Sequence, residues 1–417
     1  MLSYDKCRPF SRDFTEKRGW ALKIGIYGGT FNPIHLGHME AARFAREYLE
    51  LDRLYLIPTG IPPHKELDAD APGAEHRLEM VRLAAEALGG EVRVSDMELR
   101  RQGRSYTLET LRQIKGEHPE DRLYLLLGTD MFLTFQHWRD PGEIAGLCTL
   151  CAFGRSEADT EELFAAQRAY LAKTFGADVV TMVLPHVVDV SSTQLRGLLA
   201  RGAGRTYLDD AVYGYILRQG LYGVGADVKR LPLEDLRCAA LSMLRRKRAA
   251  HVLGTEETAA RLALRWGADE EEARRAALLH DCTKKWDREQ HLAFCRQYGI
   301  ELDSEERREE KLLHAVTGAA VARHVFGVSP QVESAIRWHT TGKPHMSTLE
   351  KILYLADYIE PTRDFCDLRP LRKLAFADLD RAVLLGLTMA VEDLRERGVA
   401  VHSNSVFARD ELKGKLT

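Results

Sequence analysis

The sequence predicts two domains of different class, an α/β domain built on a parallel sheet and, behind it, an all-α domain. Three observations predict this. Up to about residue 222, short apolar runs alternate with amphipathic helical stretches. From about residue 233 only helical periodicity remains. Between them, residues 221–236 (LYGVGADVKRLPLEDL) carry glycines and a proline with no long apolar period. The length, 417 residues, exceeds one ordinary hydrophobic core and requires more than one domain. The expected division is an extension at 1–20 that reads as disordered, a first domain at 21–222, a linker at 223–232 and a second domain at 233–417.

The strand candidates are KIGIY at 23–27, RLYLIP at 53–58, VRVSDMEL at 92–99, RLYLLLG at 122–128, CTLCAFG at 148–154 and DVVTMVL at 178–184. Amphipathic stretches such as 75–88 and 107–115 separate them. Apolar strands alternating with helices predict a parallel sheet covered on both faces. Ligands on such sheets bind beyond the carboxyl ends of the strands. Polar residues cluster there. The first strand runs into Gly28, Gly29 and Thr30, then His35 and His38. The second leads to Pro62-Pro63-His64-Lys65, and the third to Gly103-Arg104-Ser105-Tyr106-Thr107. The fourth ends at Gly128-Thr129-Asp130, with Trp138 soon after. The sixth leads to Ser191-Ser192-Thr193-Gln194-Leu195-Arg196, which opens a helix. Glycine turns and helix N-termini present backbone N–H groups that suit phosphate.

Bulk composition excludes several classes. The formal net charge is -3, with none of the basic excess of a general nucleic-acid binder. No apolar run approaches the ~18 residues of a spanning helix, and residues 1–20 lack the apolar core of a secretory signal. Seven cysteines without framework spacing fit reduced thiols and a cytoplasmic protein. Cys148 and Cys151 form a CxxC inside an apolar run. On a strand, residues three apart point to opposite faces, so the pair reads as core rather than as a redox or zinc site. A Walker loop and the GxGxxG of dinucleotide redox folds are both missing.

GGTFNPIHLGH, IPPHK, GRSYTLET, LGTD followed by QHW, and SSTQLR occur in this order over about 200 residues. This set resembles the HxGH nucleotidyltransferase superfamily, and within it the bacterial nicotinate-nucleotide adenylyltransferases. The resemblance implies a Rossmann-like sheet. It also implies joining of nicotinate mononucleotide to the AMP part of ATP, with release of pyrophosphate. On that reading His35 and His38 serve the ATP phosphates and the transition state. Lys65 and Arg196 neutralise phosphate charge, and Ser191, Ser192 and Thr193 offer a helix start. Trp138 stacks on the pyridine ring, with Ser105, Tyr106 and Thr107 near it, while Asp130 contacts ribose or orients a substrate group. Gly28, Gly29 and Thr30 form the phosphate turn. Magnesium arrives with ATP. A different acceptor, such as phosphopantetheine, is the alternative.

In the second half, helices are expected at 233–248, 255–266, 269–280, 288–298, 309–326, 329–339, 347–360 and 378–397. His251, His280, Asp281, His314, His339 and Asp357 each sit beside apolar residues on separate helical segments. Ionisable groups gathered in an apolar bundle are costly unless paired or bound to metal. Imidazole with carboxylate suits iron, manganese, cobalt or zinc. The order H…HD…H…H…D resembles the HD-domain phosphohydrolases. LLHDCTK, LLHAVTGA and AIRWHTTGKPHMSTLEKILYLADYIEPTRDF are similar to the bacterial HD proteins that cut diadenosine tetraphosphate symmetrically into two ADP. The resemblance implies two transition-metal ions, iron or else manganese or cobalt. His251, His280, Asp281 and Asp357 would bind one, and His314, His339 and Asp281 the other. Lys284 and Arg363 become candidates for phosphate charge. A regulatory HD module that binds a nucleotide without cutting it, and hydrolysis of other nucleotides such as guanosine alarmones, are the alternatives. Small-molecule nucleotides are the expected partners, with no nucleic acid or membrane, and a homo-oligomer is compatible with the sequence.

Overall fold

The computed structural model describes residues 21–61, 71–154, 161–364 and 367–417. The first half contains β1 (Lys23–Gly29), α1 (Leu36–Tyr48), β2 (Arg53–Pro58), α2 (Ala74–Leu88), β3 (Val92–Val94), α3 (Thr107–Glu117) and β4 (Arg122–Gly128). It continues through α4 (Thr129–Leu133), α5 (Pro141–Leu147), β5 (Thr149–Phe153), α6 (Glu161–Phe175), β6 (Val179–Met182), α7 (Ser192–Leu199) and α8 (Asp210–Gln219). The six strands form one sheet in the order β3-β2-β1-β4-β5-β6, and every pairing is parallel. The order reverses between β1 and β4, so a crevice opens beyond their carboxyl ends.

Strand alternation decides what each face buries. Ile24 and Ile26 of β1 join Leu123, Leu125 and Leu127 of β4 in one apolar cluster. Tyr27, Leu54, Leu56, Leu126 and Phe153 belong to the other. Cys148 lies in the first cluster and Cys151 in the second, on opposite faces, and burial pushes the Cys148 thiol up to about 12.

The helical half comprises α9 (Leu233–Leu241), α10 (Arg246–Trp266), α11 (Glu270–Leu279), α12 (Arg288–Tyr298) and α13 (Glu310–His324). It ends with α14 (Pro330–Trp338), α15 (Thr348–Ile359), α16 (Arg369–Ala377), α17 (Leu379–Glu396) and α18 (Ser403–Leu416). The second sheet-face cluster runs without a break through α8 and α9 into this bundle. The two helices meet at backbone distance. A Cβ on Gly214 would fall 1.9 Å from the Cys238 carbonyl oxygen, so only glycine fits there. The connecting residues 223–232 also pack: Leu231 is buried and its carbonyl accepts from Arg275 Nη2 at 3.0 Å.

Three expected elements change. The strand at 92–99 ends at Val94, and Asp96 closes a turn by accepting the N–H groups of Leu99 and Arg100. The period of two in VRVSDMEL could not register that stop. The helix at 233–248 breaks after Leu241. Ser242 Oγ donates to the Ala239 carbonyl at 2.6 Å and accepts Arg218 Nε at 2.9 Å. The basic run then opens α10, against the helix dipole, with the Arg246 N–H donating to Glu86 of α2 at 2.9 Å. Finally, the helix expected at 255–266 begins earlier, at Arg246.

Candidate functional sites

The crevice beyond β1 and β4 is a cavity of about 700 Å³. Of the residues singled out in the first half, Gly28, Gly29, Thr30, His35, His38, Ser105, Tyr106, Thr107, Asp130, Trp138, Ser191, Ser192, Thr193 and Arg196 all line it. Lys65 lies outside the described residues.

Local chemistry fixes each wall. His35 is the residue that precedes α1, and its backbone N–H donates to His38 Nδ1 at 3.3 Å. An Nδ1 that accepts leaves the proton of a neutral ring on Nε2, so His38 can donate from that edge. The two rings lie 3.8 Å apart, centroid to centroid. Beneath the turn, Arg77 of α2 is almost wholly buried. Its guanidinium donates to the carbonyls of Thr30 (2.8 Å), Thr59 (2.7 Å) and Gly60 (3.3 Å). One cation thus ties the ends of β1 and β2 together.

The opposite wall is α7. Ser191 caps it, accepting the Gln194 N–H at 3.1 Å, while Gln194 accepts the Ser191 N–H at 2.8 Å. Ser192 Oγ donates to the Pro33 carbonyl at 3.2 Å and Arg196 Nη1 to the Asn32 carbonyl at 3.0 Å. Arg196 therefore also holds the glycine turn, which limits a two-pronged grip on phosphate. At the far end Trp138 tilts against Phe135, and the Arg139 guanidinium lies 4.7 Å from the Tyr106 ring centre. Glu98 enters this cavity from the turn after β3; burial raises its carboxyl, against the hydrogen bond from Thr110. Neither Arg139 nor Glu98 stood out in the sequence, because each lies within an ordinary polar stretch.

The second site lies in the helical half. His251 comes from α10, His314 from α13 and Asp357 from α15. His280 and His339 are the residues that close α11 and α14, and Asp281 follows His280. Ligand atoms of His251, His280 and Asp281 gather within 4.8 Å of one another. So do those of His280, His339 and Asp357, and those of Asp281, His314 and His339.

The donor set fits metal. Nδ1 of His280, His314 and His339 lies 2.6, 2.6 and 2.7 Å from the carbonyls of Ala277, Lys311 and Ile336. His251 Nδ1 lies 3.0 Å from Glu360 Oε1. Each Nδ1 must carry a proton to make these bonds, so each neutral ring turns an unprotonated Nε2 inward. Yet His251 Nε2 and His280 Nε2 are 3.3 Å apart, and His314 Nε2 and His339 Nε2 are 3.2 Å apart. Two neutral rings at these distances set lone pair against lone pair, which a cation between them relieves; at His280 burial lowers the imidazole but the neighbouring Asp281 outweighs it and shifts it upward. Burial pushes His314 and His339 down, the latter to about 4, which keeps both neutral. Burial alone would raise Asp281 and Asp357, but His280 beside the first and His251 beside the second outweigh it, and both stay well below the usual carboxylate range.

Side-chain cations lean on this centre. Arg248 Nε contacts Asp281 Oδ2 at 2.5 Å, Lys284 Nζ contacts His314 Nε2 at 2.8 Å, and Arg363 Nη2 contacts Asp357 Oδ1 at 2.6 Å. Lys284 and Arg363 are thus at the centre, bonded to the candidate ligands themselves. Arg248 and Glu360 were not singled out in the sequence; Arg248 was hidden in a run of four basic residues. A second group, Asp303, Glu305 and His402, is differently built. His402 Nδ1 accepts the Asn404 N–H at 3.2 Å, so its Nε2 is the protonated edge and donates to Asp303 at 3.2 Å.

Comparison with known proteins assigns the halves separately. Residues 26–198 match the cytidylyltransferase-like family model, and residues 248–362 match the HD domain. A probable nicotinate-nucleotide adenylyltransferase of Geobacter sp. (strain M21) is 40% identical over 214 residues, covering 48% of this chain and 98% of the relative. The chain belongs to the nicotinate-nucleotide adenylyltransferase family. The Pseudomonas syringae pv. tomato relative of the same description is 38% identical over 210 residues, covering 48% of this chain and 93% of its own. Part of the chain is similar to a Clostridium acetobutylicum structure described as a predicted HD superfamily hydrolase involved in NAD metabolism. That match has 39% identity, 44% of this chain, 98% of the other and a TM-score of 0.43. No described helix is long and apolar enough to cross a membrane.

Proposed function

We propose that the protein carries two activities. The first half joins nicotinate mononucleotide to the adenylyl group of ATP, giving nicotinate adenine dinucleotide and pyrophosphate. The second half hydrolyses diadenosine tetraphosphate symmetrically to two ADP. The observation that carries the first is the set of donors around one cavity at the sheet's reversal point: the glycine turn, His35, His38 and the start of α7. In-line attack by the mononucleotide phosphate on the α-phosphorus needs no covalent intermediate, so positioning and charge neutralisation suffice. His38 donates from Nε2 to the phosphate that gains charge, the N-termini of α1 and α7 face the same space, and Trp138 supplies a flat face for the pyridine ring.

For the second half the carrying observation is the inward convergence of four Nε2 atoms and two carboxylates. His251, His280, Asp281 and Asp357 would hold one transition-metal ion, and His314, His339 and Asp281 the other. Such ions, when bound, activate water and screen phosphate charge. Lys284, Arg363 and Arg248 supply positive charge beside these ligands, which suits a chain of phosphates.

The test is one purified sample with two assays. ATP with nicotinate mononucleotide should yield the dinucleotide, and turnover should drop sharply with nicotinamide mononucleotide. Diadenosine tetraphosphate should yield ADP alone. Equal amounts of AMP and ATP would mean asymmetric cleavage and would overturn the second assignment.

A further inference from the structure

Glu98, in the turn after β3, is a buried acid that lines a cavity suited to anions. A carboxylate that touched a phosphate or a pyridine carboxylate there would repel it, and burying it is itself a cost unless it is hydrogen-bonded. Its oxygens turn to protein instead. Oε1 accepts a hydrogen bond from Thr110 Oγ1 at 2.7 Å, and Thr59, just beyond β2, hydrogen-bonds the same carboxyl. The two backbones also meet closely: a Cβ on Gly60 would fall 2.9 Å from the Glu98 carbonyl oxygen.

The network continues through Arg101. Its Nη1 donates to Thr110 Oγ1 at 2.7 Å and to Ser105 Oγ at 3.0 Å, and its Nη2 donates to Gln113 Oε1 at 2.9 Å. Ser105 and Thr110 are buried like Glu98. They flank Tyr106 and Thr107, which line the cavity where α3 begins. Tyr106, the residue before α3, makes no side-chain capping bond, so this network holds that wall from both sides. The donors opposite are set by other bonds: His38 by the His35 N–H, and the start of α7 by Ser191 and Gln194.

We propose that Glu98 is a positioning residue for the acceptor substrate. Through Thr110 and Arg101 it fixes the wall formed by Ser105, Tyr106 and Thr107, and it touches neither substrate. The proposal rests on the nucleotidyl-transfer reading of this half and adds which of the two substrates this carboxyl serves.

Steady-state kinetics of the full-length protein read KM for nicotinate mononucleotide and KM for ATP separately. Glu98→Ala should raise KM for nicotinate mononucleotide by about tenfold or more and leave KM for ATP within about twofold. Arg101→Ala, at a half-buried position, should raise the same KM by about three- to tenfold with a melting temperature near wild type. Glu98→Gln keeps an oxygen for Thr110 and should recover most of the loss, to within about threefold of wild type. Equal rises in both KM values, no rise in either, or a Gln variant as damaged as the Ala variant would overturn the proposal. So would a KM that simply tracks melting temperature across the three variants. If Glu98→Ala does not fold, Arg101→Ala decides by the same split. If the wild type rejects nicotinate mononucleotide but adenylylates nicotinamide mononucleotide or phosphopantetheine, the acceptor identity alone falls and the split is read on that acceptor. Transfer to none of the three would overturn the nucleotidyl-transfer reading and this proposal with it.

Discussion

The two sites are built by opposite means. The sheet-half cavity is made largely of backbone: a glycine turn, two helix starts, and carbonyls clamped from below by Arg77. Its side chains, His38 and Arg196, reach in from short segments close in sequence to those turns. The helical-half centre is made of side chains alone, drawn from five separate helical segments and buried in an apolar bundle. The first can bind a flexible, anionic substrate with its own dipoles. The second pairs its two carboxylates with Arg248 and Arg363 and turns four imidazole Nε2 atoms inward, a donor set that suits a metal ion.

Reciprocal substitutions break this comparison most directly. Asp281→Ala removes the carboxylate common to two ligand groups. Elemental analysis should show loss of bound transition metal, and diadenosine tetraphosphate hydrolysis should vanish while adenylyl transfer stays within twofold. His38→Ala should do the reverse, lowering adenylyl transfer by about a hundredfold or more and leaving metal content intact. Retention of more than about a tenth of the wild-type rate would take His38 out of the mechanism. If both activities fell in either variant, the halves would not be independent.

A medium effect is expected at the contact between the halves. Gly214→Val places a side chain where the Cys238 carbonyl already lies, 1.9 Å from the new Cβ. Overpacking of this kind costs about 1–3 kcal/mol. Differential scanning calorimetry should show a lower melting temperature with no change in metal content of the folded protein. An unchanged melting temperature would mean that α8 and α9 separate freely.

The smallest effect concerns pH. His291 is buried against Thr317 and Trp286, and burial pushes its imidazole down from 6.5 to about 4. The unfolded chain takes up a proton below about 6.5 while the folded chain resists until about 4. This residue's contribution is therefore present above about 6.5 and is lost as pH falls toward 4. In His291→Gln, urea-unfolding stability should vary less over that window, and an unaltered slope would refute the assignment.

The two sites also differ in how far they could be read in advance. In the sheet half, strand ends and the residues beyond them are neighbours in sequence, so GGTFNPIHLGH and SSTQLR could be placed on one edge from strand-helix alternation alone. In the helical half, periodicity gave separate helices; the apolar neighbours of His251, His280, Asp281, His314, His339 and Asp357 pointed to a shared buried centre, and the resemblance supplied how they would divide between two ions. Arg248 was not distinguishable from Arg245, Arg246 and Lys247, because position on a helix gives no direction without a packing partner. The break after Leu241 was invisible for a similar reason. It depends on Arg218 reaching Ser242 from another helix.

By itself the sequence determined the class of each half, the parallel sheet, the phosphate-suited strand ends and the ligand types of the helical centre. Those follow from periods of two and 3.6 and from side-chain chemistry, which are local properties. Tertiary structure alone decided that the apolar core runs from the sheet through α8 and α9 into the bundle. It also decided which imidazole edge faces inward, that Arg77 ties two strand ends, and that Tyr222 reaches back to Asn32 across 190 residues of chain. Each of these is a contact between distant segments, and local patterning carries no term for such contacts.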